Sequence, residues 1–214
     1  MESRVNFHAG ALKLEGMITP LSKTCGVVIT HPHPLYGGEL SNPVVESIVL
    51  TYARKGITAL RFNFRGVGRS DGVFDNGIGE QEDVLAAIGL LSASGISEIH
   101  LAGYSFGAWV NARICRLPPE VSTLIMVAPP VAFIDYKNIP PQPLLKVVLT
   151  GSDDEIAPPD LIRRYLPVWN PGAQLEIIDD ADHFFYGRFP QLEEVLAAHI
   201  SFGSKRRNRL GDQG

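Results

Sequence analysis

Apolar residues in this chain occur in short blocks, and most blocks rich in β-branched residues alternate with longer amphipathic ones. The run at 26–30 is continuously apolar, which is typical of a strand covered on both faces. The segment at 80–94 instead has helical spacing. Read this way, the chain has predicted strands at 5–7, 12–19, 26–30, 57–64, 99–101, 123–127, 145–150 and 175–178, and predicted helices at 43–55, 80–94, 106–116, 159–166 and 190–200. This alternation predicts an α/β fold with a mostly parallel central sheet of about seven to eight strands and helices on both faces.

Composition and charge restrict the number of domains and the kinds of partner that we expect. The 214 residues, with 45% hydrophobic and 20% charged residues, predict a single domain over 1–202 and a disordered basic tail over 203–214. The formal net charge of −4 argues against a nucleic-acid partner. The first residues contain no signal-peptide pattern, and no apolar run has the roughly 20 residues of a membrane span, so we expect a cytoplasmic location. Cys25 and Cys115 lie in apolar stretches and are expected to be buried free thiols.

Candidate chemistry begins at the sequence Gly-Tyr-Ser-Phe-Gly, residues 103–107, between a predicted strand and a predicted helix. Glycines on both sides permit a sharp turn, because a side chain there would collide with neighbouring elements. The turn would expose the hydroxyl of Ser105 above a helix N-terminus, where free N–H groups favour developing negative charge. A five-residue pattern is common by chance, so its meaning depends on an acid and a histidine elsewhere.

Both appear downstream in the expected order. The strand at 145–150 is followed by Asp153 and Asp154, and the strand at 175–178 is followed by Asp182 and His183. Carboxyl ends of parallel strands meet at one edge of the sheet, so these side chains should gather there with Ser105. The chain order Ser, Asp, His is the order used by hydrolases with a nucleophile elbow.

Four motifs give a specific resemblance. The chain contains His-Pro-His-Pro-Leu-Tyr-Gly-Gly at 31–38, Arg-Phe-Asn-Phe-Arg-Gly-Val-Gly-Arg-Ser at 61–70, the serine turn at 103–107, and Ala-Asp-His-Phe-Phe at 181–185. In this order they resemble the small, largely uncapped bacterial members of the α/β-hydrolase superfamily, over roughly residues 5–200. The resemblance implies the α/β-hydrolase fold without a substantial cap and a serine hydrolase activity.

The family's acid motif, G-x-x-D-x-x-[AV]-P, implies that Asp154 is the acid and that Asp153 is a solvated or helix-capping neighbour. The chemistry then assigns roles to the catalytic residues Ser105, Asp154 and His183. Ser105 is a poor nucleophile until a base takes its proton, and the ordinary pKa of histidine suits His183 to that task. Asp154 would orient the imidazole and stabilise its protonated form.

A tetrahedral intermediate also needs two hydrogen-bond donors for its oxyanion. The backbone N–H of Phe106, directly after the nucleophile, supplies one. The loop at 31–38 should supply the other, and its two prolines have no N–H to give. His33, Leu35 and Tyr36 remain, and resemblance to the family pattern His-Gly-x favours Leu35, with Tyr36 second.

Only residues 128–143 separate two predicted strands at the point where larger relatives insert a lid, so a helical cap is not expected. The site should be open, with substrate-binding walls formed by Tyr36, Phe133, Tyr136 and Phe184, although some of these aromatics could instead belong to the core. Aromatic walls suit small acyl or aryl groups.

Two other patterns have structural explanations that we favour. His31 and His33 have the spacing of a chelate, but no third ligand is apparent, so no metal is predicted. Arg61 and Arg65 are expected to form salt bridges rather than an anion site. No cofactor is expected.

The sequence thus predicts a serine hydrolase that cleaves small carboxylic esters, or thioesters as the second class, with a small-molecule partner. A peptidase or amidase of the same fold would carry the same residues. A non-catalytic binding protein of this fold is the third alternative. The sequence leaves the oligomeric state open.

Overall fold

The computed structural model describes residues 1–203, in which eight strands form one sheet of order β1-β2-β4-β3-β5-β6-β7-β8. The strands are β1 (Ser3–Ala9), β2 (Leu12–Thr19), β3 (Cys25–Thr30), β4 (Thr58–Phe62), β5 (Glu98–Tyr104), β6 (Val121–Val127), β7 (Leu145–Gly151) and β8 (Gln174–Ile178). β1 pairs antiparallel with β2, and β2 antiparallel with β4, whereas all pairs from β4 to β8 are parallel. The predicted mostly parallel sheet is confirmed.

Five helices flank this sheet: α1 (Pro43–Arg54), α2 (Gly79–Ala93), α3 (Phe106–Arg113), α4 (Pro159–Trp169) and α5 (Phe189–His199). α1 packs against α5, and α2 packs against α3. The start of α1 is encoded locally, because the Asn42 side chain accepts the Val44 N–H at 2.9 Å and Pro43 occupies the first helical position. No helix within residues 1–203 is long and apolar enough to span a membrane.

The parallel strands place their carboxyl ends at one edge. β3 and β5 are in register up to the pair Thr30 and Gly103, and β7 and β8 up to Gly151 and Ile178. The central strands are almost wholly buried, which explains why they appear in the sequence as continuous apolar runs. The segments that leave this edge carry Ser105, Asp154 and His183.

Several local predictions were wrong. α3 ends at Arg113 rather than near residue 116, because Ile114 takes an extended backbone conformation. Cys115 therefore lies beyond the helix and is exposed, and Cys25 is only partly buried, although both are free thiols. The predicted disordered tail at 203–214 lies, apart from Gly203, outside the described residues.

Candidate active site

Ser105 occupies a strained turn between β5 and α3. Its backbone has φ 54° and ψ −120°, a conformation that side chains rarely adopt. A Cβ on Gly103 would lie 2.5 Å from the Ala108 nitrogen, and one on Gly107 would lie 2.5 Å from Thr30 Oγ1. Glycine at both positions is thus a steric requirement, as the sequence predicted. The turn is held by the Ser105 N–H, which donates to the Val127 carbonyl at 2.9 Å.

His183 lies in the segment after β8 and contacts both of the predicted partners. Its Nε2 is 3.0 Å from Ser105 Oγ, and its Nδ1 is 2.8 Å from Asp154 Oδ2. All three residues are buried, at 7% exposure for Ser105, 6% for His183 and 2% for Asp154. The Tyr104 hydroxyl, from the end of β5, donates to the His183 carbonyl at 3.0 Å and so fixes the histidine segment to the serine strand.

The structure places Asp154, and not Asp153, against the histidine. Asp154 Oδ1 accepts the N–H groups of Ile156 at 2.9 Å and Ala157 at 2.6 Å, which orient the carboxylate. Asp153 is exposed, and its carboxylate accepts the Ser152 hydroxyl at 2.9 Å. The two adjacent acids therefore differ completely in surroundings.

The predicted second oxyanion donor needs correction. The Leu35 N–H donates to His33 Nδ1 at 3.2 Å, and the Tyr36 N–H donates to the His33 carbonyl at 3.0 Å. Both donors are consumed by the single 3₁₀ turn Pro34–Tyr36 and are unavailable to a substrate. By contrast, the backbone N–H groups of His33 and Phe106 have no acceptor within residues 1–203, and both residues line the cavity at Ser105.

Once the 3₁₀ turn is known, hydrogen-bond accounting identifies His33 as the donor left over in this loop. A turn that starts at Pro34 uses the N–H groups of the next three residues, and the prolines on either side have none. His33 is then the remaining donor in the first part of the loop. The family pattern led to the wrong register, because His31 directly follows the strand and occupies the position of its histidine.

The cavity beside Ser105 has a volume of about 370 Å³. Tyr36, Phe133 and Phe184 line it as predicted and are largely exposed at its mouth, at 73%, 62% and 49%. Other apolar wall residues, which the sequence analysis did not single out, are Pro32, Pro130, Ile134 and Ile156.

Tyr136 was predicted to be a wall residue and is not one. It is only 1% exposed, and its ring packs against Trp169 at 5.3 Å and Tyr165 at 6.3 Å between centroids. The loop after β6 turns inward at this point, so Tyr136 belongs to the core beside α4.

Both loop histidines use ring nitrogens in hydrogen bonds within the protein. His31 is fully buried, its Nδ1 lies 2.7 Å from the Pro32 carbonyl, and its Nε2 accepts the Phe64 N–H at 3.1 Å. Burial lowers the pKa of His31 to about 4, so it is neutral at physiological pH with both nitrogens engaged. Within the described part of the chain, no group of three or more potential metal-ligating side chains occurs.

Arg61 and Arg65, two of the three arginines of the 61–70 segment, are engaged in ion pairs. Arg61 contacts Glu2 at 3.0 Å and Glu46 at 2.9 Å. Arg65 binds buried Asp83 at 2.8 Å and reaches Glu82 at 3.3 Å. Hydrogen bonding to these carboxylates raises the pKa of Arg65 despite the opposing effect of burial. These contacts agree with the structural explanation for both arginines.

Comparisons with known proteins agree with this architecture. No family model matches the chain. It is 36% identical over 183 residues to the uncharacterized protein RP471 of Rickettsia prowazekii (strain Madrid E), covering 81% of this chain and 77% of that protein.

Two solved structures are similar over nearly the whole chain. An α/β serine hydrolase homologue from Coxiella burnetii is 33% identical, with a TM-score of 0.84 over 93% of this chain and 97% of that one. XC6422 from Xanthomonas campestris, an α/β serine hydrolase without a lid, is 30% identical, with a TM-score of 0.83 over 93% of each chain. The sheet, the serine turn and these similarities lead to one conclusion: the chain belongs to the α/β-hydrolase superfamily, in its lidless form.

Proposed function

We propose that this protein is a serine hydrolase that cleaves small, uncharged carboxylic esters through an acyl-Ser105 intermediate. The observation that carries the proposal is the continuous chain of hydrogen-bond contacts from Ser105 Oγ through His183 to Asp154, at 3.0 and 2.8 Å. Ser105, at one end of these contacts, lines a cavity together with His33 and Phe106, whose backbone N–H groups have no acceptor within residues 1–203. The resemblance of the four sequence motifs to those of uncapped bacterial members of the superfamily supports the proposal.

The proposed acylation step assigns a task to each group. Ser105 Oγ attacks the ester carbonyl carbon while His183 Nε2 takes its proton, and Asp154 stabilises the resulting imidazolium. The carbonyl π electrons move to oxygen, which accepts hydrogen bonds from the His33 and Phe106 N–H groups. When the intermediate collapses, the bond to the leaving oxygen breaks and His183 returns the proton to the departing alcohol.

Deacylation repeats these steps with water. His183 Nε2 takes a proton from a water molecule that attacks the acyl carbon, and the same two backbone donors hold the second oxyanion. The carbon–oxygen bond to Ser105 then breaks, and the proton returns to Ser105 Oγ. The carboxylic acid leaves and the starting state of the site is restored.

The cavity supports a small and uncharged substrate. Its volume of about 370 Å³ lies near the lower end of the roughly 300–1,000 Å³ typical of small-molecule sites. None of its described lining residues is Lys, Arg, Asp or Glu. Arg61 and Arg65 of the 61–70 segment are each paired with carboxylates of their own. A carboxylate or phosphate on the substrate would therefore enter without a counter-charge.

A labelling and turnover experiment tests the proposal. Wild-type protein should react with a fluorophosphonate probe and hydrolyse p-nitrophenyl butyrate faster than the corresponding thioester and p-nitroanilide. Ser105→Ala should abolish labelling and lower kcat by about 10⁴-fold or more, because the nucleophile is lost. Ser94→Ala, at an exposed serine after α2, is the matched control and should behave like wild type. A folded wild type that neither labels nor turns over any of the three substrates would contradict the proposal, and a faster anilide reaction would favour an amidase.

A further inference from the structure

The loop between β3 and α1 is organised around a single residue, His33. Its Nδ1 accepts the Leu35 N–H at 3.2 Å, and its carbonyl accepts both the Tyr36 and the Gly38 N–H at 3.0 Å. The chain folds back so tightly that a Cβ on Gly38 would lie 2.1 Å from the Pro32 carbonyl oxygen. The side chain and carbonyl of His33 thus accept the N–H groups of Leu35, Tyr36 and Gly38, while its own N–H has no acceptor within residues 1–203.

The imidazole of His33 also contacts the residue that presents the other unpaired donor. Its centroid lies 4.7 Å from that of Phe106, and the rings of Tyr36 and Phe74 complete the contact at 4.8 and 5.1 Å. Phe106 is 1% exposed, so its ring is a fixed surface. The two backbone donors therefore belong to residues whose side chains pack directly on each other.

We propose that the His33 imidazole is a positioning residue, which holds the 31–38 loop against Phe106 and so sets the spacing of the two oxyanion donors. This inference rests on the proposed function and adds to it a side chain that touches neither the nucleophile nor the base. For Nδ1 to accept a hydrogen bond, the proton of the neutral ring must lie on Nε2. Burial lowers the pKa of His33, which favours this neutral form near pH 7.

Three substitutions separate the two parts of the role, since the backbone N–H remains in each. His33→Asn places an amide oxygen where Nδ1 lies, so it keeps the hydrogen bond to Leu35 and loses the ring. His33→Phe keeps the ring contact with Phe106 and loses the acceptor. His33→Ala loses both, and His8→Ala, at an exposed histidine on β1, serves as the control.

The expected effect is smaller than loss of a donor. Removing one oxyanion donor typically costs about 10²–10³ in rate, and misplacing a catalytic group by about 1 Å can cost about 10²-fold. We expect His33→Ala to lower kcat for p-nitrophenyl butyrate by about 30- to 100-fold with KM changed less than about threefold. The Asn and Phe variants should each recover part of the loss, and the His8 control should equal wild type.

The Ki for phenylboronic acid gives a second measurement, which would not change if the His33 side chain only stabilised the fold. The boronate adduct on Ser105 places an oxygen at the oxyanion position, so its Ki should rise across the His33 variants in proportion to the fall in kcat/KM. Circular dichroism and thermal unfolding show whether each variant is folded. If His33→Ala does not fold, the kcat and Ki of His33→Asn and His33→Phe still test the proposal.

The outcomes separate the two proposals. If wild type is active and Ser105 labels, then equal kcat and Ki in all folded His33 variants would overturn the role of the imidazole and leave the hydrolase proposal standing. If wild type is inactive, both proposals fail together. Partial recovery in Asn and Phe, with parallel changes in Ki, would support the inference.

Discussion

A histidine lies near each end of strand β5, and the two histidines differ in their surroundings. Near its amino end, His100 is fully buried, its Nδ1 lies 2.9 Å from the Tyr52 hydroxyl, and its ring stacks on Phe202 at 3.9 Å. Just beyond its carboxyl end, Ser105 meets His183 at the wall of an open cavity. His100 is enclosed in the core, whereas His183 lines a cavity that a ligand can enter.

Backbone strain also differs between the two edges of the sheet. Five non-glycine residues in the described chain have positive φ: Asn76, Ser105, Ala128, Asp180 and Phe185. The last four lie in segments that leave the carboxyl ends of β5, β6 and β8. Strain of this kind costs on the order of 1–3 kcal/mol per residue and persists where the surroundings enforce it. The comparison teaches that backbone strain is concentrated at the carboxyl edge of the sheet, beside the candidate active site.

Among the substitutions that test this comparison, the largest effect is expected at Asp154. Asp154→Asn should lower kcat by about 10³–10⁴-fold, because the amide no longer stabilises the imidazolium or enforces the right tautomer of His183. Steady-state kinetics with p-nitrophenyl butyrate measures this. Asp153→Asn is the adjacent control and should stay within about twofold of wild type. Equal losses of kcat in Asp154→Asn and Asp153→Asn would contradict the different roles proposed for the two acids.

Acid should destabilise the protein through histidines at both edges. Burial lowers the pKa of His31 to about 4 and that of His100 to about 3, below the ordinary value of 6.5. The unfolded chain therefore binds more protons than the folded chain between about pH 6.5 and 4, and the stability present above pH 6.5 is lost as pH falls through that window. Each histidine should contribute a slope of up to about 1.4 kcal/mol per pH unit.

Urea unfolding at a series of pH values checks this slope. His100→Gln should reduce the dependence of unfolding free energy on pH by about one proton, while leaving the pH dependence of kcat/KM unchanged. An unchanged slope in the variant would show that His100 is not neutral in the folded protein.

Removing the hydroxyl partner of His100 tests the amino end of β5 directly. Tyr52→Phe leaves Nδ1 of a buried imidazole without its partner, so the free energy of unfolding should fall by about 1–3 kcal/mol. Because neither residue lines the cavity, kcat/KM should stay within about twofold of wild type. Urea unfolding measures the first quantity and ester hydrolysis the second. Tyr186→Phe, at an exposed tyrosine, is the matched control for stability.

The smallest effect is expected at the mouth of the cavity. Tyr36 and Phe133 come from different loops and contact each other edge-to-face at 6.0 Å between centroids. Phe133→Ala should open this contact and raise the ratio of kcat/KM for p-nitrophenyl octanoate to that for butyrate by about tenfold, the scale of a change of one or two methylenes in an apolar pocket. The melting temperature should barely change, as for Val168→Ala on exposed α4. An unchanged ratio would exclude Phe133 as a size determinant.

The sequence predicted those features that depend on local pattern. Buried strands produce continuous apolar runs, Asn42 and Pro43 mark the start of α1, and paired glycines mark the serine turn. The convergence of the carboxyl ends of parallel strands placed an acid after β7 and His183 after β8 at one edge, and the resemblance to the family's acid motif favoured Asp154 over Asp153. Each of these rests on neighbours in sequence or on a general rule of the fold.

What the sequence could not predict depends on distant partners. The inward turn of Tyr136 requires Trp169, which is 33 positions later, and the burial of His100 requires Tyr52 from α1, 48 positions earlier. The oxyanion donor was misassigned because it depends on which N–H groups the loop uses internally. Only the folded loop shows that the His33 carbonyl accepts the Tyr36 N–H and that His33 Nδ1 accepts the Leu35 N–H.

The uncovered mouth of the cavity has a consequence for the timing of the reaction. In many hydrolases a lid must open before products depart, and this opening limits turnover. Here residues 128–144 connect β6 to β7 without forming a cap, so the products of the proposed ester hydrolysis should leave by diffusion alone. We therefore expect bond making and breaking to limit kcat, and solvent viscosity to have little influence on it.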